Sequence, residues 1–289
     1  MPPAHRPPTA SQTIQLCEHA DALFLTRQAL ACAHLHTQPH PPILIQPIAG
    51  GVGIRTRPLF QGKLNRIVGL GMDRRVTQHD IRDAEKRYAE IGLYPQFHLS
   101  EAADPGAGSV LAGCGYVAGG TIGVYTCAIG ERASAVARSV EQHNDIEVSI
   151  ATPETTEAFT AASVAGFQDG GRAPAILHAL ARIAALREDT QLYVATIEGE
   201  IVGTAAMALI DAPELEGKVA HLYLDSTPPR HRGRGVHAAL IEARLADAER
   251  AGFRFVSLAT RPDGGSARNA ERAGFALAYT KAVFVKDFP

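Results

Sequence analysis

The chain contains no tryptophan, only four cysteines in 289 residues, and no apolar run long enough to span a membrane. The missing tryptophan selects no function, but the other scarcities exclude several classes. Cys17, Cys32, Cys114 and Cys127 all lie in the first half and none forms a C-x-x-C pair, which argues against a zinc ribbon or a dithiol redox motif. Reduced thiols in a cytoplasmic protein are expected instead, with no membrane association. Nor is there an excess of positive charge: the formal net charge is −2, where a nucleic-acid binder would carry a basic face. His34, His36 and His40 come nearest to a metal cluster. Residues two apart on a helix point different ways, and no carboxylate is close, so no metal is expected. What is present is a globular composition, 46% hydrophobic and 20% charged, in a chain long enough for two domains with a core each. The first ten residues, MPPAHRPPTA, are too rich in proline for a signal peptide and read as a loose tail.

The most informative stretch is Thr227 to Leu245, TPPRHRGRGVHAALIEARL. It leads from an apolar strand, Val219 to Asp225, through Pro228 and Pro229 into a helix. The prolines have no N–H to give and end strand pairing. Gly233 and Gly235 allow open backbone conformations and close approach of a ligand. Val236, Ala239, Leu240, Ala243 and Leu245 then recur at helical spacing. A glycine loop opening a helix leaves unpaired N–H groups at the positive end of the dipole, a cradle for phosphate. Arg232 and Arg234 add charge beside it. It is not a P-loop, since no Lys-Ser or Lys-Thr follows the glycines. A dinucleotide fingerprint would need glycine where Ala238 stands.

This loop resembles that of the GNAT superfamily, the acyl-CoA-dependent N-acyltransferases, whose signature is R/Q-x-x-G-x-G/A at the start of a helix. Arg232-x-x-Gly235 fits, with His237 where the family has Gly or Ala; the register Arg230-x-x-Gly233-x-Gly235 fits all three positions. The first places Gly235 against the first helical turn and is preferred. Downstream, Ser266-x-Arg268-Asn269 followed by Gly274-Phe275 is similar to a second block of that family. The resemblance covers roughly residues 143–289 and implies a β-α-α-β-β-β-α-β-α-β order.

The first half echoes the second. Gly92, a strand, a DPG turn, a short helix and Gly115-Tyr116 match Gly252, a strand, PDGG, a short helix and Gly274-Phe275. Helices are expected from Ser11 to about His36 and from Thr77 to Ile91, and strands at 43–48, 53–59, 65–72, 96–100 and 121–129. The family resemblance makes this half a degenerate GNAT-like domain without a phosphate loop, since Met72-Asp73-Arg74-Arg75 stands where the glycines would be. The expected architecture is an α/β fold with a mixed sheet: two GNAT-like domains in tandem, at 11–136 and 143–289, joined by a linker at 134–144.

The resemblance implies transfer of an acetyl group from acetyl-CoA to a primary amine, a small-molecule acceptor being preferred because no long docking segment is visible. The diphosphate would rest on amides from Gly233 to His237, including Val236, with Arg232 and Arg234 alongside. An N–H near Thr227 would face the pantetheine arm and the oxyanion. Ser266, Asn269 and Arg272 would contact the coenzyme. The attacking amine must be neutral, and His221, Tyr223 and Asp225, at alternating strand positions, are candidate bases on one face. Many members place a tyrosine where Ala270 stands, as acid for the leaving thiolate; Tyr279 is a candidate substitute. The absent tyrosine and His237 keep a second reading open, a non-catalytic acyl-CoA sensor. A homodimer is compatible with either.

Overall fold

The computed structural model describes residues 9–35, 42–129, 145–167, 170–211 and 217–287. The first half runs α1 (Ala10–Ala33), β1 (Leu44–Ile48), β2 (Gly51–Arg55), β3 (Arg66–Val68), α2 (Gln78–Ala89), β4 (Gln96–Ser100), α3 (Ala107–Gly113) and β5 (Val117–Ala128). The second runs β6 (Glu147–Ile150), α4 (Thr156–Phe167), α5 (Pro174–Ala185), β7 (Thr190–Ile197), β8 (Glu200–Ile210), β9 (Val219–Ser226), α6 (Val236–Arg250), β10 (Phe255–Thr260), α7 (Gly265–Arg272) and β11 (Ala276–Val285). The second half thus has the expected order.

Local chemistry sets most boundaries. Thr9, not Ser11, caps α1, because its side chain accepts from the Gln12 amide while Gln12 returns the bond. Thr77 and Asp80 make the same reciprocal cap on α2. Pro174 occupies the first turn of α5, where its missing N–H costs nothing. The strand expected over 65–72 shrinks to Arg66–Val68, and that over 53–59 is replaced by Gly51–Arg55 followed by a 3-10 turn at Pro58–Phe60. The linker at 134–144 and the residues His36 and His40 lie outside the described residues.

Among the described residues the strands form one sheet of eleven, ordered β1-β2-β3-β4-β11-β5-β10-β9-β8-β7-β6. Two neighbouring pairs are parallel, β3 with β4 and β9 with β10; the rest are antiparallel. The centre of the sheet is an exchange. β11 lies between β4 and β5, and β5 lies between β11 and β10, so each half's last strand is inserted beside the other half's strands. The duplication read in the sequence is therefore matched by topology, and the two units share their central ladders.

Helices cover both faces. On one, α6 and α7 pack through Val236, Leu240, Ile241, Leu245, Ala267 and Ala270 against Tyr193, Met207, Leu222 and Val256. On the other, α1 crosses strands of both halves and leans on α5. Its sheet-facing Glu18 and Asp21 accept from Lys281 of β11, each at 2.7 Å, and Glu18 also accepts from Tyr279. Lys281 and Glu18 are both 2% exposed, so this buried cluster clamps the first helix to the last strand. Either partner left alone there would be strongly destabilising. Among the described residues no helix is long and apolar enough to cross a membrane.

Candidate active site

β9 carries the feature that shapes the site. Its pairing with β8 moves from Ala206↔Tyr223 to Thr204↔Ser226, three residues on β9 against two on β8. Leu224 absorbs the extra residue in the left-handed region, at φ 59°. Pairing with β10 runs only from Val219 to Leu222, and beyond that point the two strands part.

This bulge corrects the expectation that His221, Tyr223 and Asp225 share a face. His221 and Tyr223 point towards α1, with ring centroids 4.7 and 4.8 Å from Phe24. Asp225 points the opposite way, to α6, because the bulge breaks the alternation of period two. There it accepts from Arg244, whose side chain is fully buried and also donates to the Leu240 and Ala206 carbonyls. It also accepts from His237 Nε2 at 3.1 Å. Burial alone would raise the Asp225 carboxyl, but Arg244 and His237 outweigh it and hold it down at about 2. The group is an anchor between β9 and α6.

The other base candidates are no better poised for neutral pH. Burial drives the His221 imidazole down to about 4, against the opposing pull of Asp21, and its Nδ1 lies 3.0 Å from Ser257 Oγ. Burial pushes the Tyr223 hydroxyl up to about 12, and it meets Thr190 Oγ1 at 3.0 Å. Tyr279 is sealed under α1, where burial and then the Glu18 charge raise its pKa. It sits on β11, which β5 separates from β10, and does not line the cleft of α6 and α7.

The phosphate-loop candidates do come together. A cleft of about 1150 Å³ is lined by Asp225, Thr227, Arg232, Gly233, Arg234, Gly235, Val236 and His237, with Ser266, Asn269 and Arg272 opposite. Gly235 is the N-cap of α6 in the left-handed conformation, φ 84°, and no side chain caps the helix. The first intrahelical bond is Ala239 N–H to Gly235 O, so the amides of the first turn have no helical acceptor. Arg232 braces the loop by donating to the Thr227 carbonyl at 3.0 Å and the Gly166 carbonyl at 3.1 Å. Arg234 lies 3.6 Å from Asp145.

Three features escaped the sequence reading. The end of α4 and the turn after it, at Gly166, Phe167 and Gly170, form a further wall of the cleft. A Cβ at Gly166 would come within 2.8 Å of the Thr227 nitrogen, so only glycine lets α4 approach the end of β9 so closely. Arg244 was the second, and its signal was visible: a lone arginine inside the apolar stripe Leu240–Leu245. Third, His237 spans from α6 to α7. Arg272 donates to Asn269 Oδ1 at 3.2 Å, which turns the Asn269 amide nitrogen towards His237 Nδ1 at 2.8 Å. His237 Nε2 is then the donor to Asp225, and the chain Arg272–Asn269–His237–Asp225–Arg244 ties both helices to β9. Among the described residues no group of three or more His, Cys, Asp or Glu could hold a metal ion.

A model of the acetyltransferase (GNAT) family matches residues 154–275. No curated protein matches the chain. Among solved structures, a GCN5-related N-acetyltransferase from Kribbella flavida is similar over 92% of this chain and 95% of its own, at TM-score 0.61 and 18% identity. A conserved protein of unknown function from Staphylococcus epidermidis is similar over 89% of this chain and 97% of its own, at TM-score 0.61 and 13% identity. A second GCN5-related N-acetyltransferase, from Sphaerobacter thermophilus, covers 73% of this chain and 65% of its own, at TM-score 0.54 and 20% identity. At these identities the likeness is one of fold, and in the first two it extends over both halves.

Proposed function

We propose, for a chain whose residues 154–275 belong to the acetyltransferase (GNAT) family, an N-acetyltransferase that moves an acetyl group directly from acetyl-CoA to a primary amine of a small molecule. The catalytic unit is residues 143–289, and residues 11–136 are a degenerate partner that lends β5 to its sheet. The observation that carries this reading is the uncapped start of α6 at Gly235, opening into the cleft beside the parted strands β9 and β10.

The residues present fit the donor. Gly235 leaves free the space that a side chain would take, and first-turn amides of α6 with Arg232 and Arg234 suit a diphosphate. Where β9 leaves β10, the backbone near Thr227 has donors and acceptors free of β10 for an extended arm with amides. Ser266 and Arg272 supply further polar contacts from α7. The thioester supplies an activated acyl group, and an N–H beside Thr227 suits the oxyanion that forms when the amine adds.

None of His221, Tyr223 and Asp225 has a basicity matched to taking a proton at pH 7. The amine therefore loses its proton to water, and the rate comes chiefly from holding amine and thioester together. The pH profile of kcat/KM then follows the pKa of the acceptor, changing when the acceptor is changed. Release of CoA thiol from acetyl-CoA across a panel of small amines tests the reading. Tight acetyl-CoA binding with no turnover on a broad panel would instead favour the sensor.

A further inference from the structure

Resting on the transfer reading above, we infer that the amine acceptor carries an anionic group, a carboxylate or a phosphate, bound by Lys63, Arg66, Arg172 and Arg261 on the α1 face of the sheet. Three packing relations bring these cations together. The turn holding Lys63 is fixed by Phe60 and Leu64, which share a core with Ile176 and Leu177 of α5 and with Phe167 at the end of α4. That core sets Lys63 near the start of α5, which Arg172 precedes by two residues, close enough for the two charges to act on each other. Arg66 starts β3 and reaches under α1 to within 3.8 Å of Asp21. Arg261 follows β10, the strand that has just parted from β9.

The charges are not matched. Asp21 is already held by Lys281 at 2.7 Å, and Arg66 is its second cation. Among the described residues no carboxylate pairs with Lys63, Arg172 or Arg261. Lys63 is half-buried; burial first, then Arg172, Arg66 and Arg261, pull its ammonium down to about 8. Like charges gathered around a half-buried lysine oppose folding unless an anion relieves them. The floor beside them is open. Ser257 on β10 is buried, whereas Ala259, two residues on and on the same face, is exposed, because it lies one residue past Leu258, the last to pair with β9.

The cluster stands apart from the donor's phosphate cradle. None of its four members lines the cleft of α6 and α7. Arg66 instead acts electrostatically on His98 and His221, both on the α1 face. Donor and acceptor would then approach from opposite faces and meet where β9 and β10 separate. A cationic acceptor such as a polyamine would be repelled.

The test uses matched probes: phosphoethanolamine against ethanolamine, glycine against glycinamide, and spermidine, each with acetyl-CoA. The expected result is a kcat/KM at least about tenfold higher for each anionic member, the order of one charge-assisted bond. Lys63→Gln and Arg261→Gln should each remove most of that preference through KM for the amine, leaving KM for acetyl-CoA within about twofold. Equal rates for the pairs, or a preference for spermidine, would overturn the inference. So would variants that lose acetyl-CoA affinity instead, because the cations would then serve the donor. A binding arm separates this from failure of the transfer reading. With CoA saturating its own site, millimolar phosphoethanolamine should raise the melting temperature of the wild type but not of Lys63→Gln. If no amine is acetylated but this protection appears, the anion site stands and the transfer reading falls. If the wild type is not protected, the anion site falls.

Discussion

Replacing Asp225 should separate anchoring from catalysis. Its carboxylate faces Arg244, 0% exposed in its side chain, and is itself 21% exposed. Asp225→Ala would leave the guanidinium with only the Leu240 and Ala206 carbonyls, at 2.9 and 3.1 Å. An uncompensated buried charge of this kind costs about 3–5 kcal/mol. Asp225→Asn keeps one acceptor and should cost about 1.5–3 kcal/mol. A second route gives a similar size. With the carboxyl moved from 3.8 to about 2, the ionised form contributes about 2.5 kcal/mol. The sign follows from the depressed folded pKa. That contribution is complete above about pH 4, the unfolded value, and is lost as pH falls towards 2. Urea unfolding of wild type and Asp225→Asn between pH 7 and 3 measures this: the stability gap should be constant down to about pH 4 and then narrow. An Asp225→Ala cost below about 1 kcal/mol, or a gap that ignores pH throughout, would refute the anchoring role. Turnover gives the complementary answer. As an anchor, Asp225→Asn should retain kcat within about tenfold, whereas loss of a general base would cost a hundredfold or more.

Gly235→Glu should abolish the protection that acetyl-CoA gives against heating, because φ 84° strains a side chain there and the carboxylate would enter the cradle; equal protection of mutant and wild type would remove the cradle assignment. Gly166→Ala should raise KM for acetyl-CoA by pushing α4 away from the Thr227 nitrogen; an unchanged KM would mean that this wall does not touch the donor. His221, at 6.5 in the unfolded chain and about 4 when folded, contributes stability that is whole above pH 6.5 and lost as pH falls to about 4, up to about 3 kcal/mol. His221→Phe should flatten the acid limb of urea-unfolding stability between pH 7 and 5, and an unaltered slope would contradict the buried neutral imidazole. Finally, Lys63→Gln should raise the melting temperature of the ligand-free protein by relieving repulsion from Arg172, Arg66 and Arg261; a lower value would show that Lys63 is structurally required.

The loop proposed as a phosphate cradle was legible as a glycine-led helix start because everything that makes it is contiguous: a strand, two prolines, two glycines and a helix within one run of sequence. The cap at Thr77 and the limits of β4 at Gln96–Ser100 were legible for the same reason. Some local boundaries were misread: α1 starts from Thr9 and not Ser11, because the partner Gln12 decides between the two caps, and the strands expected at 53–59 and 65–72 lie at Gly51–Arg55 and Arg66–Val68. The site's orientation was a different matter. A single extra residue at Leu224 turns Asp225 away from His221 and Tyr223, and no pattern in VAHLYLDS marks where a bulge falls. Its position is set by pairing with β8, a strand read from elsewhere in the chain. Likewise, only long-range pairing put β11 between β4 and β5, laid α1 over Tyr279 and His221, and gathered Lys63 and Arg66 with Arg172 and Arg261 from three separate segments. Short-range sterics and capping wrote the elements and the glycine-led start of α6 into the sequence. Which faces those elements show one another was decided by the competition for buried area and ladder partners, settled once the whole sheet closed.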